Sequence, residues 1–245
     1  MIDWSRQCAA VISCFNEAER IGAVVTQVRR YLPQVVVVDD GSTDDTAGVA
    51  RQNGASVVHL PQNKGKGAAL RSGWQCARER GFAWVLMLDG DGQHAPDDAP
   101  RLFACADRSE AKLVVGNRMT RPDAMPWLRR KVNVWMSRRI SALSGASLPD
   151  SQCGFRLAHL ETLLGLTLTT KHFEIESEML TAFLAAGDRV EFVPVQTIYL
   201  GGQSRIRPIP DAWRWWLWYR RQHATRSRGV RAPEALWRPQ SNPIA

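Results

Sequence analysis

Apolar runs alternate with amphipathic stretches from the first ten residues onward. Residues 8–14 (CAAVISC) offer no polar face, the pattern of a strand covered on both sides. Residues 17–32 put Ile21, Val24, Val25 and Val28 on one helical face, and Pro33 ends that helix. Residues 34–40 (QVVVVDD) are β-branched until they meet two carboxylates. The pattern then predicts a helix over 43–52, a strand over 55–60, a helix over 66–80 closed by Gly81, and a strand over 83–88 that runs into Asp89-Gly90-Asp91-Gly92. A helix over 96–107, a strand over 112–115, a helix from Pro126, a loop over 148–156, a helix over 173–186 and strands between 189 and 199 complete the series. Strand and helix alternating at this spacing predict an α/β fold, a Rossmann-like, mostly parallel sheet flanked by helices. Ligands of such sheets bind at the carboxyl ends of the strands, where the acidic clusters fall.

The 245 residues, 44% of them hydrophobic, suffice for a single core. We expect one domain over 1–210 and a basic, Trp-rich helix and tail over 211–245. The net charge of +8 favours an anionic partner without choosing among nucleotide, phosphorylated lipid, membrane surface and nucleic acid. From Asp211 onward seven arginines face only Asp211 and Glu234, so this stretch carries +5 of that charge. The five cysteines show no C-x-x-C spacing and read as free thiols of a reducing cytoplasm. The first residues hold no apolar signal segment, and no run approaches the roughly 20 residues of a membrane span. The expected localisation is cytoplasmic, with peripheral contact at the cytoplasmic face of the membrane.

Three segments carry candidate chemistry. Asp39-Asp40-Gly41-Ser42-Thr43 places carboxylates where they can accept from a base or ribose, or forms a turn in which Ser42 or Thr43 caps the next helix. Asp89-Gly90-Asp91-Gly92-Gln93-His94 offers two carboxylates one residue apart, which suit a hard divalent cation whose remaining ligands come from a diphosphate. An EF-hand loop is excluded, because Gln93, His94 and Pro96 break its pattern. Asn63-Lys64-Gly65-Lys66-Gly67 lacks P-loop spacing; it is either an anion-cradling turn that includes Lys66 or a tight start to the following helix.

In order along the chain stand VISCFNE (11–17), VVVVDDGSTDDT, NKGKGAALRSG, MLDGDGQH, Val115-Gly116-Asn117-Arg118 and Asp150-Ser151-Gln152-Cys153-Gly154-Phe155-Arg156. This ordered set resembles the family 2 glycosyltransferases of the GT-A fold, in the branch of dolichyl-phosphate mannose and glucose synthases. FEIESEML, Tyr199 and 204–208 (SRIRP) resemble bacterial members of that branch. The resemblance implies that Glu17 and Asp39, with Asp40 beside it, hold the base and ribose of a nucleotide-sugar donor. It implies that Asp89, Asp91 and Gln93 bind Mg²⁺ or Mn²⁺ and the donor diphosphate. Arg118 and one of Arg129 or Arg130 would contact phosphates, and Asp150 would sit near the reacting centre. The implied reaction is inverting hexosyl transfer to a polyprenyl phosphate or other acceptor. A phosphate acceptor needs positioning more than a base, whereas an alcohol would need one, with Asp150 the first candidate.

Two further segments bear on membrane contact. Leu128, Val132, Trp135 or Met136, Ile140 and Leu143 form an apolar stripe among Arg129, Arg130, Lys131, Arg138 and Arg139, suited either to an anionic interface or to packing on the domain. Residues 213–221 (WRWWLWYRR) mix the residue types of bilayer interfaces. Glu174, Glu176 and Glu178 are expected on a partly solvated helix near the acceptor. Nucleic acid is not an expected partner, since the basic residues surround acidic clusters and no nucleic-acid module is present.

Overall fold

The computed structural model describes residues 1–120, 125–198 and 208–227. A short helix α1 (Trp4–Gln7) leads into β1 (Cys8–Cys14), followed by α2 (Ala18–Val28), β2 (Val35–Asp39), α3 (Thr46–Gln52), β3 (Ser56–His59), α4 (Lys66–Glu79) and β4 (Trp84–Asp89). Then come α5 (Ala99–Ser109), β5 (Leu113–Asn117), α6 (Trp127–Ser144), β6 (Arg156–His159), α7 (Leu160–Gly165), α8 (Ile175–Ala185), β7 (Val190–Pro194) and α9 (Pro208–Ser227). The seven strands form one sheet in the order β3-β2-β1-β4-β6-β5-β7. β1, β2, β3 and β4 run parallel, β5 and β7 pair in parallel, and β6 lies antiparallel between β4 and β5. Helices cover both faces, which is why every residue of β1 and β2 is buried.

The predicted loop over 148–156 ends in a strand and a helix that periodicity did not announce. β6 spans only four residues, and its Arg156 is fully buried with a guanidinium that donates to the carbonyls of Ser151, Cys153 and Glu176. α3 begins at Thr46 and not at 43, because the side chains expected to cap it are engaged elsewhere. Ser42 Oγ accepts from the Asn16 N–H, and Thr43 donates to Asn16 Oδ1 from both its hydroxyl (3.3 Å) and its N–H. α9 extends beyond the Trp-rich segment at both ends, and its Trp215, Trp218 and Tyr219 join the core. Tyr199, the 204–207 part of the SRIRP segment and the tail after Ser227 lie outside the described residues.

Two helices divide their faces in ways the sequence left open or placed otherwise. The α6 stripe is split: Ile140 and Leu143 are buried together with the polar Asn133 and Ser137, whereas Leu128, Val132 and Trp135 face outward. Glu174, Glu176 and Glu178 are all buried and not partly solvated; Glu176 meets Lys66 and Glu178 meets the 169–170 segment, while Glu174 Oε2 has no hydrogen-bond partner. The Glu178 carboxylate, for example, accepts from the backbone and hydroxyls of Thr169 and Thr170.

Candidate active site

β1 sits between β2 and β4, with Cys14 beside Asp39 and Ser13 beside Asp89. Asp39 and Asp89 therefore stand at the carboxyl ends of the two strands that flank β1, on one edge of the sheet, roughly 10 Å apart at two strand spacings. Glu17 lies just past β1 and is buried, with Oε2 3.2 Å from Arg20 Nη1. Asp39 accepts the Ser42 N–H through Oδ1, and its Oδ2 lies 2.9 Å from His59 Nδ1. Asn16 turns the chain in the left-handed region (φ 53°) and ties this loop to 42–43.

Asp40 is occupied internally. Its two oxygens accept the N–H groups of Lys64 and Gly65 at 2.8 Å each, and burial raises its pKa against the pull of those donors. The turn that resembles a phosphate loop thus wraps a carboxylate of its own. Its Gly65 has φ +93°, and an added Cβ would lie 2.5 Å from the Lys171 carbonyl oxygen. At Gly67 a Cβ would lie 2.7 Å from the Thr170 carbonyl oxygen, so both glycines serve close approach to 170–172.

Lys66, at the start of α4, places Nζ 2.5 Å from both Asp89 Oδ1 and Glu176 Oε1. Burial alone would lower its pKa, but the two carboxylates outweigh burial and raise it, so the ammonium stays charged. Burial would raise the Asp89 carboxyl, yet Lys66 and His94 hold it well below the usual carboxylate range. Gly154 leaves this cluster its room, since a Cβ there would fall 2.8 Å from Asp89 Oδ2 and 2.9 Å from Lys66 Nζ. His94 is buried, stacks on Phe155 and points Nε2 at Asp89 Oδ2 (3.4 Å). Asp91 accepts the Gln93 N–H through Oδ1, and Gln93 Oε1 accepts from Arg129 Nη1 at 3.2 Å. No cluster of three His, Cys, Asp or Glu able to enclose a cation occurs among the described residues. Asp89, Asp91 and Gln93 bring hard oxygens to a partly open strand end, the donor type that suits Mg²⁺ or Mn²⁺, with Asp89 Oδ1 held by Lys66 and Gln93 Oε1 by Arg129.

Beyond this loop stand Asp150, Arg118 and the arginines that open α6. Asp150 is fully buried and held by Arg118 Nε and Nη2 (2.8 and 2.9 Å), the Arg118 N–H and Asn133 Nδ2 (2.9 Å). Burial would raise its pKa, but Arg118 and Asn133 lower it, which makes Asp150 a poor proton acceptor. Arg118 in turn spends its fork on Asp150. Of the two candidate arginines at the start of α6, Arg129 reaches the loop of Asp89 and Asp91, whereas Arg130 lies exposed beside Trp127 and Lys131. Sequence reasoning missed Glu176 as the Lys66 partner, Asn133 as the Asp150 partner, and Gly154. Gly154 and Glu176 lie within quoted motifs, but their partners come from distant segments that no local pattern pairs with them.

Known proteins bear on this edge. The chain is 34% identical over 203 residues to glycosyltransferase AglJ of Haloferax volcanii, covering 80% of this chain and 65% of that protein. It is 29% identical over 176 residues to the polyprenol monophosphomannose synthase of Mycolicibacterium smegmatis, covering 67% of this chain and 66% of that one. The chain thus spans just under two thirds of the length of each. Its fold is similar to that of Mycobacterium tuberculosis glucosyl-3-phosphoglycerate synthase in complex with Mn²⁺, uridine diphosphate and phosphoglyceric acid (TM-score 0.70, 21% identity, 92% of this chain and 80% of that one). Residues 9–162 match the model described as glycosyl transferase family 2, more than half of the chain, and the protein belongs to that family of glycosyltransferases.

Proposed function

We propose that this glycosyltransferase moves a hexose from a nucleotide sugar to a polyprenyl-phosphate-type acceptor, with inversion at the anomeric carbon and with Mg²⁺ or Mn²⁺ held by Asp89, Asp91 and Gln93. The observation that carries the reading is the adjacency of Glu17, Asp39 and Asp89 at neighbouring strand ends. Glu17 and Asp39 hold the base and ribose, Asp40 shapes the 64–65 turn, and Lys66 fixes Asp89 from the Glu176 side. Bound with the diphosphate, the cation offsets the charge that develops on the departing nucleoside diphosphate. Arg129 and Lys66 add positive charge on either side of that loop.

In the reaction an acceptor phosphate oxygen forms a bond to the anomeric carbon from the face opposite the leaving group. The bond from that carbon to the diphosphate oxygen breaks. The acceptor arrives anionic, so no proton need be taken from it. This agrees with Asp150, whose carboxylate is committed to Arg118 and Asn133. The similarity to a polyprenol monophosphomannose synthase supports the same acceptor class. No helix among the described residues is long and apolar enough to cross a membrane. We place the enzyme in the cytoplasm, peripheral on the cytoplasmic face of the membrane.

The test is a screen of nucleotide sugars with Mg²⁺ or Mn²⁺ and a short polyprenyl phosphate, run on wild type and Asp91→Ala. We expect one donor to be consumed with release of nucleoside diphosphate. The substitution should slow turnover by about 10²–10³-fold, the cost of losing one preorganised charge-stabilising group. Undiminished turnover in Asp91→Ala would remove the donor-site assignment, and transfer to an alcohol but not to the phosphate would remove the acceptor.

A further inference from the structure

We infer that the outer faces of α6 and α9 form one docking surface for an anionic lipid bilayer, set so that a lipid-borne phosphate is presented to the Asp89–Gln93 loop. The second half of this inference rests on the reaction proposed above; the first does not.

α6 carries Trp127 and Leu128 at 68% and 58% exposure, followed by the exposed Val132 and Trp135, while α9 presents Trp213 at 61%. The helices meet where Trp135 packs against Trp215, with ring centroids 5.4 Å apart. The outward facing is fixed from inside. The buried side of α6 is pinned by Asn133 to Asp150 and by Ser137 to Ser151, and α9 is pinned by the Trp215 Nε1 bond to Ser177. The apolar residues therefore cannot rotate inward without breaking buried hydrogen bonds.

Charge selects the occupant. α6 contains Arg129, Arg130, Lys131, Arg138 and Arg139 and no acidic residue. Lys131 lies over the Trp127 ring at 4.9 Å and Arg139 over the Trp135 ring at 5.4 Å, so cationic heads stand beside the exposed indoles. Indole rings, aliphatic side chains and cations at one level match a headgroup layer. A second copy of the chain fits poorly, since a two-fold contact would set the same cations against one another. The position is equally specific. Arg129, one residue beyond the exposed Leu128, donates to Gln93, so a single helical turn spans from the apolar patch to the candidate cation ligands.

The test is flotation with vesicles of phosphatidylcholine alone or with added phosphatidylglycerol, at low and high salt. Wild type is compared with Trp127→Ser/Leu128→Ser and with Lys131→Glu/Arg138→Glu. All these side chains are exposed, and unchanged thermal unfolding verifies that the variants fold. We expect salt-sensitive binding of wild type to the anionic vesicles. Binding should fall by at least about fivefold for each basic residue reversed, and comparably for the apolar pair. No binding of wild type, or undiminished binding of both variants, overturns the inference. So does a wild-type dimer that the apolar pair dissociates, which would assign the patch to a second copy. Donor consumption measured alongside in detergent separates the two readings. Consumption without vesicle binding ends the docking surface alone, and vesicle binding without consumption ends the proposed reaction alone.

Discussion

The two flanks of β4 are held together by different chemistry. Toward β1 and β2, carboxylates end apolar strands and are met mostly by backbone N–H groups, as Asp39 is by Ser42 and Asp40 by Lys64 and Gly65. Toward β6, buried charge is set against buried charge or against carbonyls, in Arg118 with Asp150, Lys66 with Glu176, and Arg156 with three backbone oxygens. Asp39 and Asp40 are buried too, but the donors that meet them are mostly backbone N–H groups, so removing one strands no partner cation, whereas removing half of a buried ion pair does. The comparison teaches where damage should appear: in turnover on the first flank, in stability on the second.

The largest test of that contrast is Arg118→Met. It leaves Asp150 buried without its cation and should cost about 3–5 kcal/mol, or roughly 6–20 °C in Tm for a chain of this size. Asp91→Ala should lower turnover while costing less than about 1 kcal/mol, since Asp91 is partly exposed and bonds only the Gln93 N–H within its own loop. Thermal unfolding beside a donor-consumption assay reads both, and equal losses of Tm would break the contrast. The pH dependence sharpens it. Arg118 holds the Asp150 carboxyl below its usual range, so this pair contributes fully above the ordinary carboxylate pKa and is lost as pH falls toward the lower folded value. The Tm gap between wild type and Arg118→Met should therefore narrow in acid.

The same division explains how much could be read from the sequence. β1, β2 and β4 were legible because each is an apolar run that ends in Asp or Asn-Glu signals, and strand-end position follows from the run itself. β6 was not, since four residues with a buried arginine at one end carry neither alternation nor an apolar block. Periodicity also assigns polar residues to solvent. It therefore gave no sign that Asn133 and Ser137 are buried on α6, and it left Glu176 and Glu178 partly solvated. Asp150, Ser151 and Lys66 are distant in sequence from their partners, and Thr170 reaches Glu178 from the turn eight residues earlier, so no helical or strand period announces these pairs.

A smaller effect comes from the polar link between the flank and α9. Ser177 Oγ accepts from both Trp215 Nε1 and Gln152 Nε2, each at 2.9 Å. Ser177→Ala leaves the buried Trp215 Nε1–H unsatisfied, while the half-buried Gln152 amide keeps its bond to Ser151, and should cost about 1–3 kcal/mol. Hydrogen exchange should rise in α9 more than in β1. A uniform rise would mean that the link does not set the local stability of α9.

The smallest expected change is a gain, from Glu174→Gln. Glu174 precedes α8, is buried, and has Oε2 without a hydrogen-bond partner, while Oε1 lies 3.9 Å from Arg214 Nε. Burial raises its pKa, only partly opposed by His172 and Arg214. A carboxyl whose pKa is raised on folding favours the folded state in acid, so the wild-type protein loses stability as pH climbs from the ordinary carboxylate value to the raised one. Above that range the penalty is complete. The Gln variant has no charge to bury, so its Tm should match wild type in acid and exceed it at neutral pH. A Tm below wild type at neutral pH would show that Arg214 depends on the Glu174 charge, and Glu174 would then join the paired charges that set this flank apart.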